Sequence, residues 1–410
     1  MKPRIKSSIL LMLTSAIFLG CNHNTTQIID RPAPSETDSK FLLSPEEHKQ
    51  FIIRVEKSID QRNRRKFVSL FSKENFFKLI FREISLKHAE KRLLESKINR
   101  KKSIANIVDM IFEGLNQGGE YSYFCTQSGK RWDSVIFRLV IPETPEIQYH
   151  EFRIIRCDDK SIAANDIFFT LTADSLTDRL RVDTIIELVN ENRLNKESTV
   201  AAAAIESFQQ MVSPLDNPLY RKIHELADAN QPDKAWNLYN DLPESIKQKL
   251  ETQFLRLGIA EAIDKTHYDL ALAEIQSRFP RDTSADFRAI AYYHEIQSYS
   301  DSQTAVDRVY ARIEDPYLKS LKIQSYLRCG RIEDATKLVK SLQSQFPKST
   351  LLRIQALDIS VLQKNFATSI QLLDELHHSR KISLSKLEAM ARYAQLTKSS
   401  EYRAWRAKAE

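Results

Sequence analysis

In the C-terminal half of the chain a small residue returns at a nearly constant interval, each time inside an amphipathic stretch. The stretches are "QPDKAWNLY" (Ala235), "YDLALAEIQ" (Ala271), "SQTAVDRVY" (Ala305), "RIEDATKLV" (Ala335) and "FATSIQLLD" (Ser369), spaced by 36, 34, 30 and 34 residues. An interval near 34 that holds two helical patterns predicts helical hairpins stacked in series, because no single hairpin can cover its own apolar face. Where the second helix of a pair crosses the first, a larger side chain would hold the backbones apart. The clearest copy, "YLRCGRIEDATKLVKSLQSQFP" over residues 326–347, reads as the end of one helix, a turn at Gly330, and a second helix stopped by Pro347. Cys329, beside that turn, is expected to pack in the seam between the two helices.

A chain of 410 residues has room for a second body. Its 7 glycines leave little material for glycine-rich phosphate loops and suit a mostly helical protein. No HExxH, GxSxG, P-loop, GxGxxG or CxxC pattern occurs, so the sequence assigns no catalytic residue, no metal ligand and no cofactor.

Residues 44–192 read as an α+β domain. "SPEEHKQFIIRVEKSIDQRN" opens with Ser44 as cap, Pro45 in the first turn and Glu47 three residues on, followed by Phe51, Ile52, Val55 and Ile59 at helical spacing. Two further helical patterns follow, in "KFVSLFSKENFFKLIFREI" and "SIANIVDMIFEGL". Between them the basic run "KHAEKRLLESKINRKK" predicts a solvated helix face, or a contact with anionic head groups or an acidic partner. From Glu120 the period changes from 3.6 to 2, and "YSYFCTQSG", "SVIFRLVIP", "IQYHEFRIIRC" and "SIAANDIFFTL" read as four strands joined by short turns, hence antiparallel. Cys125 and Cys157 fall on these strands and could pair in an oxidising compartment or remain buried thiols. His150 and Asp166, on adjacent strands, could serve as a base and its orienting carboxylate if the domain enclosed a small-molecule pocket.

The first residues read as an address. Lys2, Arg4 and Lys6 precede the apolar run "ILLMLTSAIFLG" and Cys21. Twelve residues rising about 1.5 Å each cannot cross a hydrocarbon core of about 30 Å, so residues 1–20 predict a signal peptide rather than a span. Residues 21–43, polar and containing prolines, predict a flexible tether. Removing the three signal cations lowers the formal charge from +7 to +4, too little over such a length for a nucleic-acid footprint.

"FLGC" resembles the cleavage box of bacterial lipoproteins, with Phe18 and Leu19 departing from the usual leucine and small residue. The resemblance implies lipidation of Cys21 and a protein anchored to a membrane of the bacterial cell envelope, facing the periplasm or the exterior. The order of helices before a curved antiparallel sheet resembles the NTF2-like, cone-shaped fold. Residues 215–410, reached through a helical linker over 193–214, resemble the tetratricopeptide repeat (TPR). The best copy has Tyr326 nine residues before Ala335, Gly330 at the turn and Pro347 twelve residues after Ala335; the other copies are degenerate. That resemblance implies an all-α solenoid whose first helices line a concave groove for a protein partner. Counted from the small residues, the groove residues are His294, Gln297, Tyr317, Gln324, Arg328, Ile354 and Asp358. Two functions follow as expectations: a non-enzymatic envelope-anchored adaptor, or a small-molecule-binding or hydrolytic pocket in the α+β domain.

Overall fold

The computed structural model of the chain describes residues 43–80, 95, 100–128, 132–142, 146–170, 174–177, 180, 217–280, 282–379 and 382–409. The signal, the tether with Cys21, most of the basic run over 87–102 and the linker over 193–214 lie outside the described residues.

The chain begins its described part with α1 (Pro45–Asp60), α2 (Arg64–Val68), α3 (Lys73–Ile80) and α4 (Arg100–Asn116). The start of α1 is the expected capping box, with Ser44 and Glu47 each bonding the other's backbone N–H. Glu47 also takes a forked bond from Arg156, at 2.7 Å and 3.0 Å. The Arg156 guanidinium, with the Ser44 amide next, pulls the Glu47 carboxyl down to about 2.

Strands β1 (Glu120–Ser128), β2 (Asp133–Ile141), β3 (Glu146–Arg156) and β4 (Ile162–Phe169) form an antiparallel meander in chain order, with Asp174–Ser175 added beyond β4. Alternation gives this sheet two faces. On one, Phe137 and Phe152 form a cluster with Phe51, Phe67 and Phe76 of the N-terminal helices and with Phe71 between α2 and α3, neighbouring rings lying 5.6–6.3 Å apart and mostly edge-on. This face is packed with side chains and not hollow. On the other, Ile136, Val140, Ile147 and Tyr149 belong to one apolar cluster with Phe287, Leu318 and Leu351 of the C-terminal half. Both faces are therefore covered, which is why eight of the nine residues of β2 are buried. The α+β part and the helical part share a core.

The C-terminal half is built of hairpins: α5 (Pro218–Asp228) with α6 (Pro232–Tyr239); α8 (Leu250–Ile263) with α9 (Lys265–Arg278), after the short α7 (Glu244–Lys247); α10 (Ser284–Glu295) with α11 (Tyr299–Ile313); α12 (Leu321–Arg328), preceded by a 3-10 turn at Pro316–Ser320, with α13 (Ile332–Gln345); and α14 (Thr350–Leu362) with α15 (Phe366–His378). Each packs on the next, α6 against α8, α9 against α10, α11 against α12 and α13 against α14. Ala235, Ala271, Ala305, Ala335 and Ser369 are all fully buried. Ser369 is accommodated there because its hydroxyl meets Ser360 Oγ at 2.8 Å.

A second regularity lies in the turns. Asn230, Gln297, Gly330 and Lys364 all adopt positive φ, between 55° and 72°. In each case the following amide bonds back to the carbonyl five residues earlier: Gln231 to Leu226, Ser298 to Tyr293, Arg331 to Tyr326 and Asn365 to Ser360, at 2.8–2.9 Å. This is the Schellman closure, which satisfies carbonyls orphaned at a helix end. Only one of the four positions is glycine, so the sequence displays the turn plainly only at Gly330.

Of the two alternatives left for Cys125 and Cys157 the structure has free thiols, each partly buried: Cys125 packs on the cluster shared with the C-terminal half, whereas Cys157 lies near Asn75 of α3. Burial pushes the Cys125 thiol up to about 11, with the Asp315 and Glu151 carboxylates adding to it. Cys329 is exposed rather than packed in a seam. The chain closes with α16 (Leu384–Ala389), a 3-10 turn at Ala391–Tyr393, α17 (Ala394–Thr397) and α18 (Ser400–Ala409). Trp405 of α18 donates to Asp374 of α15 at 2.8 Å.

Candidate functional site

The first helices of the last three hairpins, α10, α12 and α14, present one face in common. Phe287 and His294 are seven residues apart on α10, and Tyr317 and Gln324 are seven apart across the 3-10 turn and α12. Leu351 and Asp358 repeat the interval on α14. On α10 and α14 two helical turns separate the members of the pair, about 10.5 Å along the axis.

The near end of this face is taken by the sheet. Arg138 of β2 reaches Asp315 Oδ2 at 2.5 Å, and the Tyr149 hydroxyl donates to the same oxygen at 2.7 Å. The Arg138 guanidinium lies over the Tyr317 ring at 4.1 Å and the Phe346 ring at 5.2 Å. Glu120 of β1 accepts from the Thr350 amide at the start of α14. Arg138 and Asp315 are almost completely buried. Burial, with the Asp315 carboxylate second, pushes the Tyr149 hydroxyl well above its ordinary value, so it stays a donor.

The far end of the face is open as a cleft of about 170 Å³ beneath Pro142, the residue that follows β2. His294, Gln324, Arg328, Ile354 and Asp358 all line it. Five of the seven groove residues read from the sequence thus come together. The other two do not: Tyr317 is buried under Arg138, and Gln297 sits in the left-handed turn after α10. Leu351, Gln355 and Arg392 complete the lining. Leu351 and Gln355 follow from the helical period of α14, on which they flank Ile354. Nothing in the sequence ties Arg392, from the closing segment, or Pro142, from the sheet, to this place.

At the floor, Asp358 accepts from Tyr393 Oη at 2.6 Å and from Gln324 Nε2 at 3.3 Å, with Arg392 Nε at 3.6 Å. Burial raises its pKa above the ordinary carboxylate value, opposed by the Arg392 charge and these bonds. Gln355 is fully buried; its amide donates to Ser320 O at 3.0 Å, and its Oε1 has no hydrogen-bond partner. His294 Nε2 also has none. Burial, and the nearby Arg328 charge, lower the His294 pKa, keeping the imidazole neutral at neutral pH. Arg328 is exposed at the rim. The lining therefore offers guanidinium donors and an unused amide acceptor to a ligand. Both Asp358 oxygens are already engaged.

In the α+β part, His150 and Asp166 are not brought together. His150 stands opposite Phe137 and Phe169 in the ladder and contacts Tyr121 Oη at 3.3 Å. Asp166 stands opposite Arg153, on the other face, and accepts from Arg153 and from Thr177 Oγ1 at 2.8 Å. Among the described residues no group of three or more His, Cys, Asp or Glu is placed to hold a metal ion, and no helix is long and apolar enough to cross a membrane.

Comparison of the chain with protein-family models, with curated proteins and with solved structures finds no match.

Proposed function

We infer that this protein is a non-enzymatic adaptor, anchored to the cell envelope through a lipidated Cys21, that binds a protein partner along a TPR-like groove. The observation that carries the reading is the convergence of His294, Gln324, Arg328, Ile354 and Asp358, from three successive hairpins, on one accessible cleft. Side chains from separate units on a common face are what an extended partner needs for a periodic grip. The sheet fills the first turns of that face, which confines any partner to the remainder. The pocket alternative in the α+β part has less behind it, since His150 and Asp166 point to opposite sides of a filled sheet.

The anchor is tested by mass spectrometry of the mature chain, in which Cys21 carries acyl groups. The adaptor role is tested by chemical cross-linking in intact envelopes, with the adducts identified and repeated on an Arg328→Glu variant. A defined partner lost in the variant is the expected result; identical adducts from both proteins overturn the reading.

A further inference from the structure

We propose that the cleft is an anchor site for one internal acidic side chain, Asp or Glu, of the partner polypeptide. The inference rests on the adaptor reading and adds to it the chemistry of the grip. Pockets that enclose whole drug-sized ligands run to about 300–1,000 Å³, so a cleft of about 170 Å³ takes a single side chain with its stretch of backbone.

The charges at the cleft are the Arg328 and Arg392 guanidiniums against the one Asp358 carboxylate, with His294 neutral. Asp358 is held by Tyr393, Gln324 and Arg392, which leaves Arg328 at the rim and a net positive charge for an incoming anion. A planar carboxylate is the partner that a guanidinium fork binds best, through two parallel charge-assisted bonds.

The buried Gln355 Oε1 supplies the second half of the argument. It is an acceptor with no partner, lining the cleft from a side chain with no exposed surface. Leaving such a group unsatisfied is costly, and a ligand N–H that reaches it repays that cost. An acidic residue inside a peptide carries both complements, a carboxylate and backbone N–H groups beside it. The lining drawn from α10, α12 and α14 in turn suits a chain that passes through rather than one that ends there.

The test pans a random peptide library displayed on phage against the full chain and against Arg328→Glu, with thermal melts to show that the exposed substitution leaves the fold intact. Peptides selected by the parent protein are expected to share an Asp or Glu at one fixed position. Replacing that residue by Asn or Gln in synthetic peptides is expected to weaken binding about tenfold or more. The Arg328→Glu protein is expected to lose these peptides and to favour Lys or Arg at the same position. Amidating the peptide C-terminus leaves affinity unchanged if the side chain is the anchor, and abolishes binding if a chain terminus is, which overturns the proposal. Selected peptides that compete for the cleft but share no acidic position overturn the anchor and leave the adaptor reading standing. Failure to select any peptide overturns both.

Discussion

Removing Asp315 tests whether the sheet and the hairpins are one folded unit. Its carboxylate holds Arg138 and Tyr149 of the sheet, and its other oxygen accepts from the Tyr317 amide at 3.0 Å, capping the 3-10 turn. In Asp315→Ala the Arg138 guanidinium is left without its counter-ion where its side chain is only 8% exposed. Breaking a buried pair from one side costs about 3–5 kcal/mol, because the remaining charge stays desolvated. Replacing both partners, as in Arg138→Met with Asp315→Ala, removes the stranded charge and costs less than the sum of the single changes, by about 2 kcal/mol. The assay is urea unfolding of all four proteins, followed by tryptophan fluorescence and by far-ultraviolet circular dichroism. Coincident transitions in the parent, with the loss and coupling just given, are expected. Separate transitions for the sheet and the helices in the parent, or additive single costs, would refute the shared core.

Gly330→Ala places a side chain at φ +72°, where no neighbouring atom obstructs it, so the cost is the backbone strain alone, about 1 kcal/mol in the same unfolding assay. Glu47 has its folded pKa depressed to about 2 from an ordinary 4.5, so its contribution is present above about 4.5 and fades as the pH falls toward 2. Glu47→Gln, which weakens the cap and the Arg156 pair, is expected to cost about 1 kcal/mol at neutral pH and to flatten stability across that acid window. With three free thiols at Cys125, Cys157 and Cys329, alkylation of the native protein is expected to label the exposed Cys329 first. Cys125, held protonated by burial, is expected to react only on unfolding.

The elements that the sequence displays are those whose signal is local. The capping box at Ser44 and the four alternating strands depend on neighbours within a few positions, and they form where the pattern put them. The small residues of the hairpins stand out by a recurring interval, and they are buried. The left-handed turns at Asn230, Gln297 and Lys364 were legible only in retrospect, because side chains occupy a conformation that usually advertises itself by glycine. The burial of Arg138 escapes the sequence for a different reason. A charge at an alternate strand position reads as a solvated face, and only its pairing with Asp315, 177 residues away, explains its burial. The cleft shows both behaviours: Ile354 and Asp358 follow from one helix's period, whereas Arg392 and Pro142 arrive through tertiary packing that no spacing encodes.

A photo-activated cross-linking residue placed at position 328, in the full chain within intact cells, tests the central claim most directly. Lys337, exposed on α13 and absent from the cleft lining, serves as the control position. One discrete polypeptide adduct from position 328 and none from position 337 is the predicted result. Equal capture from both positions, or none from position 328, would contradict the account.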